Sequence, residues 1–166
     1  MEISLLLEKT VRAIWLFRSE GVHPAWVDDL TLPIVGFDAF LELDNGDLIQ
    51  ISPCEMNLGP DRYPGLGLAL QPCTSDALHF VSPGGHTVEA VPLAEAAPFL
   101  PFSIVGIEES DPLGEDTVSQ YSLATSNGRL VTFRHIFPPM TLGMRVEAIG
   151  GTPNNSFKPK PLRGSA

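Results

Sequence analysis

The sequence predicts a mainly β protein with a minor helical component, built from antiparallel sheets. Three observations indicate this class. The 166 residues include 15 Gly and 16 Pro, which punctuate short apolar runs as in a chain of many short strands. Two Asn-Gly dipeptides, at 45–46 and 127–128, are each flanked by strand-like residues and predict tight hairpins. The surroundings of these dipeptides are similar, which predicts two pseudo-repeated halves.

The first half, about residues 1–75, is expected to run helix, strand, hairpin and strand. Residues 5–10 predict a short helix that leads into a strand at 11–17. Apolar and polar residues alternate through 40–51 around the first Asn-Gly turn, which is typical of a β-hairpin. A Pro-containing loop then leads to a strand at 65–70.

The second half, about residues 92–150, is expected to repeat that order. A short helix at 93–97 ends before Pro98, and a strand follows at 102–107. The second hairpin covers 121–133, and the last strand covers 142–146. Alignment of the two Asn-Gly turns also pairs apolar residues of the flanking strands, which favours an internal duplication. The competing explanation is that a β-rich chain offers two such hairpins by chance.

The remaining segments complete a single compact domain at 1–150. Residues 77–91 predict a further hairpin with a longer loop between the two halves. Residues 151–166 have no periodicity and carry Lys158, Lys160 and Arg163, so we expect a disordered basic tail.

The charge balance restricts the classes of partner. The chain has 20 acidic and 10 basic residues, a net charge of −10, although only 18% of its residues are charged. A nucleic-acid binder needs a basic footprint, so we expect no nucleic-acid partner. The apolar runs are far shorter than the roughly 18 to 20 residues that span a bilayer, so we expect no membrane association.

The expected compartment is the cytoplasm. The first residues lack the basic region and the small-residue cleavage site of a secretory signal. Cys54 and Cys73 form an even pair that could bridge, but a chain with a full-sized core and no export signal favours reduced thiols.

The sequence carries no recognised catalytic motif. A nucleophile elbow and a phosphate-binding loop are absent, and Gly65-Leu66-Gly67 is only a fragment of a dinucleotide fingerprint. The four histidines lack the spacing of a local zinc site. Cys54 and His135 have the residue types of a nucleophile and its base, but pseudo-symmetry is expected to separate them. We therefore expect no enzyme, metal or cofactor, and an enzyme with a dispersed site around His135, His79 or Cys54 remains an alternative.

The acidic residues gather in loops. If the duplication holds, two clusters occupy the same connection of the repeat and form one acidic surface, which would attract a basic protein. Exposed aromatic residues beside it would supply anchors, whereas Trp15 is expected in the core. The ordinary explanation is solvated loop charge, with turn formation at the first hairpin. The predicted partner-binding residues are Asp28, Asp29, Glu42, Asp44 and Asp47, then Glu108, Glu109, Asp111, Glu115 and Asp116, with Trp26, Tyr63 and Tyr121.

A small, acidic, β-rich chain without a catalytic motif resembles the immunity proteins that bacteria use against polymorphic or secreted toxins. Residues 41–52, Leu-Glu-Leu-Asp-Asn-Gly-Asp-Leu-Ile-Gln-Ile-Ser, also look like the hairpins of several small uncharacterised bacterial families. The resemblance implies a non-catalytic protein that binds one cognate toxin and occludes its active site. The alternative is a small-ligand-binding or regulatory β domain with a pocket between the two halves. The sequence leaves the oligomeric state open.

Overall fold

The computed structural model describes residues 1–19, 24, 27, 29 and 31–149, so the expected tail at 151–166 lies outside the described residues. The protein is mainly β, and its sheets are antiparallel, as the sequence predicts. Within the described residues the strands are β1 (Thr10–Arg18), β2 (Ile34–Leu43), β3 (Leu48–Met56), β4 (Gly65–Cys73), β5 (His79–Val81), β6 (Thr87–Glu89), β7 (Val91–Pro92), β8 (Phe102–Ser110), β9 (Gln120–Thr125), β10 (Arg129–Ile136) and β11 (Thr141–Ala148).

Six strands close into a barrel in the order β1-β2-β11-β10-β9-β8, with β8 returning to β1. Each half of the chain contributes a four-stranded meander, β1 to β4 and β8 to β11, in which consecutive strands pair. Thr10 pairs with Ser103, the Asp44 N–H donates to the Thr10 carbonyl, and the Ser126 N–H donates to the Ser103 carbonyl. Both Asn-Gly turns therefore lie at one end of the barrel, here called the hairpin end, and the longer connections lie at the opposite loop end.

The predicted helices at 5–10 and 93–97 do not form as expected. Each half instead has a single-turn 3₁₀ helix before its first strand, η1 (Ile3–Leu6) and η3 (Ala97–Phe99), and η2 (Ser75–Leu78) precedes β5. Backbone pairing ends the first helix early, because Glu8 and Lys9 already bond with Ile104. Because the expected helices are reduced to single turns, the predicted helix-strand-hairpin-strand repeat is not shown.

No helix of the described residues is long and apolar enough to cross a membrane.

Strand β2 changes partner halfway along one edge. Gly36 pairs with Leu142 of β11, whereas Ala39 pairs with Ile51 of β3. Opposite this point, β1 advances two residues from Leu16 to Arg18 while β2 advances three, which is a β-bulge. Strands β3 and β4 extend the sheet from this edge and are not part of the six-stranded ring. The outer edge of β4 then reaches the β8–β9 connection, where the Leu68 N–H donates to the Val118 carbonyl at 2.9 Å.

One apolar core joins the two halves inside the barrel. Alternate residues of β1, β2, β9 and β10 point inward, including the fully buried Ile14, Leu41, Leu123 and Phe133. The β5–β6 hairpin covers part of the outer wall, where Phe80 packs edge-on against Phe17. The prediction of a core Trp15 is met only in part, because Trp15 is half-buried beneath this outer hairpin.

The two cysteines are free thiols in the fold. Cys54 pairs with Gly67 across the β3–β4 ribbon, whereas Cys73 pairs with Leu48 at its other end. Six residues of strand separate the two positions by about 20 Å, beyond the reach of a disulfide. Partial burial raises the pKa of each thiol.

We predict that Gly36→Ala destabilises the fold by about 1–3 kcal/mol, because an added Cβ would lie 2.5 Å from the Phe17 carbonyl oxygen. Gly84→Ala is the matched control, since its Cβ would make only ordinary contact with His86 at 3.4 Å. Urea unfolding of both variants measures the difference. Equal stability of the two variants would contradict the prediction, because it would show that β1 can move away from an added Cβ at position 36 without cost.

Candidate binding surface at the loop end

The barrel separates the predicted acidic residues into two groups. Glu42, Asp44 and Asp47 lie at the hairpin end, around the β2–β3 turn. Asp29 and the whole 108–116 cluster lie toward the loop end. Strands of eight to ten residues, about 30 Å long, run between the two ends. The expectation of one acidic surface therefore does not hold, because a hairpin turn and the connection before a hairpin occupy opposite ends of an antiparallel sheet.

At the hairpin end, two of the acidic side chains form hydrogen bonds with nearby residues of this chain. The Arg12 Nε donates to Glu42 at 2.6 Å. Asp47 receives a 3.0 Å hydrogen bond from the Asn45 amide, and its own N–H donates to the Asn45 Oδ1 at 2.9 Å. These bonds support the ordinary explanation that the acid at the tip shapes the turn.

Asp111 is a structural residue of the β8–β9 connection. Its side chain is buried, with a relative exposure of 7%. One carboxylate oxygen accepts the Glu115 N–H and the other accepts the Asp116 N–H, each at 3.0 Å. Asp116 adopts a positive φ of 60°, so these bonds hold a backbone conformation that L residues rarely adopt. Asp111 therefore fixes the neighbouring acids and is not itself available to a partner.

Three contacts attach the β3–β4 loop and the start of β4 to this connection. Arg62 pairs with Asp116 at 3.0 Å, and the Leu66 N–H donates to Glu115 at 3.3 Å. Gly65 packs so closely on Thr117 that a Cβ would approach it to 3.0 Å. Loops from the two halves of the chain are thus held together at one end of the barrel.

The held loop presents Tyr63 to solvent, with a relative exposure of 94%. A surface cleft of about 400 Å³ lies beside this ring, between the two loops. We call Asp61, Tyr63, Glu115 and Asp116 the loop-end surface. The residues that line the cleft are Leu58, Asp61, Arg62, Tyr63, Pro64, Gly65, Gly114 and Glu115.

Sequence reasoning selected Tyr63, Glu115 and Asp116 but missed Asp61 and Arg62. The available signal was the segment 60–64, Pro-Asp-Arg-Tyr-Pro, a polar loop with one aromatic residue between two strand patterns. Its proximity to the 108–116 cluster is a tertiary contact that no local pattern contains.

Tyr121, the other predicted anchor within the described residues, is buried with a relative exposure of 6%. Alternation along β9 places it on the same inward face as Leu123. Its hydroxyl donates to the Leu68 carbonyl at 3.3 Å. Burial, followed by the charges of Glu109 and Cys54, raises the pKa of Tyr121 to about 12. Tyr121 therefore joins β9 to β4 and is not an exposed anchor.

The other predicted acids toward the loop end, Asp29, Glu108 and Glu109, are half-buried. Asp29 accepts a 2.8 Å bond from Arg134. Burial opposes the ionisation of Asp29, but hydrogen bonds from Thr31 and the charge of Arg134 outweigh it and lower the pKa. Glu108 and Glu109 are half-buried on β8. Asp28 and Trp26 lie outside the described residues.

His135 and Cys54 come closer than pseudo-symmetry predicts. His135 Nδ1 lies 2.8 Å from the carbonyl of Gly67, which is the cross-strand partner of Cys54. Its Nε2 accepts the Met140 N–H at 2.9 Å. Both ring nitrogens are therefore engaged by backbone groups, an arrangement that differs from a base directed at a thiol. The described residues contain no group of three or more His, Cys, Asp or Glu placed to hold a metal ion.

Comparisons with known proteins add no relative. No protein-family model matches the chain, and neither the curated proteins nor the solved structures contain a match.

Replacement of Asp111 by Ala is expected to destabilise the fold by about 1–2 kcal/mol, because two partly buried N–H groups lose their charged acceptor. Asp111→Asn is the matched control, since it retains one side-chain oxygen and should lose less. Chemical denaturation measures both values. An alanine variant as stable as wild type would contradict the structural role of Asp111.

Proposed function

We propose that this chain is a non-catalytic binding protein that captures a basic protein partner on the loop-end surface. The observation that carries the proposal is the almost fully exposed Tyr63 ring among Asp61, Glu115 and Asp116. Exposed tyrosine is enriched among the residues that dominate binding energy, and carboxylates around it select a cationic partner.

Contacts on both sides of the loop support this proposal. The Arg62–Asp116 pair in the loop, and the bond from the Leu66 N–H at the start of β4 to Glu115, attach the segment that bears Tyr63 to the β8–β9 connection. A surface that is ordered before binding loses less conformational entropy when the partner arrives. Exposed ion pairs contribute little to folding stability, so we assign the Arg62–Asp116 pair a positioning role.

The distribution of charge also supports a basic partner. Arg12, Arg18, Arg62, Arg134 and Arg145 each pair with a carboxylate of this chain. A sixth guanidinium, that of Arg129, stacks on the Phe99 ring at 4.0 Å. Acidic residues outnumber basic ones two to one, so internal pairing leaves an excess of negative charge. Such an excess accelerates the approach of a cationic protein.

The resemblance to immunity proteins supplies the class of partner. We propose that the partner is a cognate bacterial toxin, that binding occludes its active site, and that the chain acts in the cytoplasm.

We also propose that the two meanders derive from one duplicated strand-hairpin-strand unit. The supporting observation is that both meanders pair in the same order and turn at Asn-Gly at the same end of the barrel.

A small ligand is the second candidate, since the loop-end cleft lies between residues of both halves. Its volume of about 400 Å³ falls within the usual range for ligand pockets. Such pockets, however, bury most of the ligand, whereas Asp61, Arg62, Tyr63 and Pro64 are all exposed. An open cleft beside a projecting aromatic ring suits a protein surface better than a small molecule.

We predict that Tyr63→Ala weakens partner binding by about 2 kcal/mol or more, roughly 30-fold in Kd, because the central aromatic contact is lost. Asp61→Lys should also weaken binding, and its effect should shrink at high salt because ions screen exposed charges. Asp44→Lys is the matched control, since it makes the same charge change at the hairpin end.

The test combines capture and activity. The tagged wild type and the three variants are used to capture partners from the native host at low and high salt. The activity of the purified partner is then measured with and without each protein. We expect wild type and Asp44→Lys to bind and inhibit one basic protein. Recovery of no specific protein, a partner whose activity is unchanged, or full binding by Tyr63→Ala would refute the proposal, and a bound small molecule would favour the second candidate.

A further inference from the structure

His135 joins three elements at the loop end of the barrel. It lies near the end of β10 and is fully buried, with a relative exposure of 0%. Its ring contacts the Gly67 carbonyl on β4 through Nδ1 and the Met140 N–H in the β10–β11 turn through Nε2. The titratable His135 side chain therefore links the turn to β4.

These two bonds define the protonation state of the ring. A nitrogen that accepts an N–H hydrogen bond has no proton of its own, so Nε2 is unprotonated. The Nδ1–H then donates to the Gly67 carbonyl, and the imidazole is neutral. A second proton would occupy Nε2 and remove the bond to Met140, but would leave the bond to Gly67 intact.

Burial and the neighbouring charges act on the pKa of the ring in opposite directions. Burial lowers the pKa of His135, whereas the bond to the Gly67 carbonyl, the charges of Glu115 and Glu55, and the Cys54 backbone raise it. Burial outweighs the others. Glu115 belongs to the β8–β9 connection, Glu55 and Cys54 belong to β3, and the turn 137–140 carries no titratable side chain. Tyr121 on β9 donates its hydroxyl to the adjacent Leu68 carbonyl.

We propose that His135 is a pH-sensitive latch, which holds the β10–β11 turn against β4 at neutral pH and releases it in mildly acidic solution. The turn is suited to local opening. Phe137 and Met140 are 46% and 47% exposed, so little apolar burial opposes its release. Met140 also has a positive φ of 69°, a conformation that the bond from its N–H to His135 helps to hold.

The direction of the pH effect follows from the two states of the turn. The closed turn requires the neutral ring, whereas the open turn allows the ring an ordinary pKa of about 6.5. Above this value the His135 ring is neutral in both the closed and the open turn, so the opening equilibrium does not depend on pH. Below it, only the open state takes up a proton, so the open fraction rises by up to about tenfold per pH unit until the closed state also titrates.

Amide hydrogen exchange of the full chain, followed by NMR between pH 7.5 and 5, tests the latch. The protection factor of the Met140 amide, corrected for the intrinsic exchange rate, should fall by up to about tenfold per pH unit below about pH 6.5. The control is the Gly128 amide, which donates to the Thr125 carbonyl at the hairpin end and should keep constant protection. His135→Gln should abolish the pH dependence at Met140, and His79→Gln, at an exposed histidine, should retain it.

Two results would overturn the latch. One is a Met140 protection factor that is constant with pH, and the other is a pH dependence that persists in His135→Gln. If His135→Gln does not fold, the ¹⁵N spectrum of the wild-type imidazole at pH 7.5 identifies which ring nitrogen of His135 carries the proton. An unprotonated Nε2 with a protonated Nδ1 supports the latch, and a protonated Nε2 refutes it. None of these measurements requires a partner, so they stand apart from the proposed function.

Discussion

The division of the β2 edge between β11 and β3 is the constraint on which the rest of the structure depends. Pairing of 34–36 with β11 closes the barrel, and pairing of 39–42 with β3 starts the ribbon that leaves it. Only glycine fits at position 36, because the Phe17 carbonyl occupies the space of a side chain. A β-bulge between β1 and β2 lies opposite the point where the partner changes. Because 39–42 pair with β3 and not with β11, β4 lies outside the ring and contacts the β8–β9 connection.

Polar backbone groups of β4 explain the interactions at the loop end. This strand has β3 on one edge, and buried N–H and C=O groups on the other edge need partners. The chain supplies four of them: the Val118 carbonyl, the Glu115 carboxylate, and the Tyr121 and His135 side chains. The same contacts that satisfy β4 therefore order the loop that presents Tyr63. They also bury His135, and this burial lowers the pKa of its ring.

Local patterns predicted the strands and turns well and the tertiary contacts poorly. Both Asn-Gly hairpins form where expected, because turn chemistry is a local property. They are not type I′ turns, since Gly46 and Gly128 have a positive φ whereas Asn45 and Asn127 do not. The expected helices reduce to single turns, since pairing of Glu8 and Lys9 with Ile104 competes with helix formation. Tyr121 and Asp111, both predicted at the surface, are buried. Side-chain type alone does not reveal which face of a strand points inward, nor which acid caps a loop.

The sequence by itself determined the β class, the hairpin positions and the acidic character, because alternation, turn chemistry and composition are local or additive properties. The tertiary structure alone decided which acids share a surface. Barrel closure places Asp44 and Asp47 at one end, and brings Asp61 and Tyr63 beside Glu115 and Asp116 at the other. It also places His135 between Gly67 and Met140. The physical reason is that these contacts depend on strand register and barrel closure, which join residues far apart in the chain.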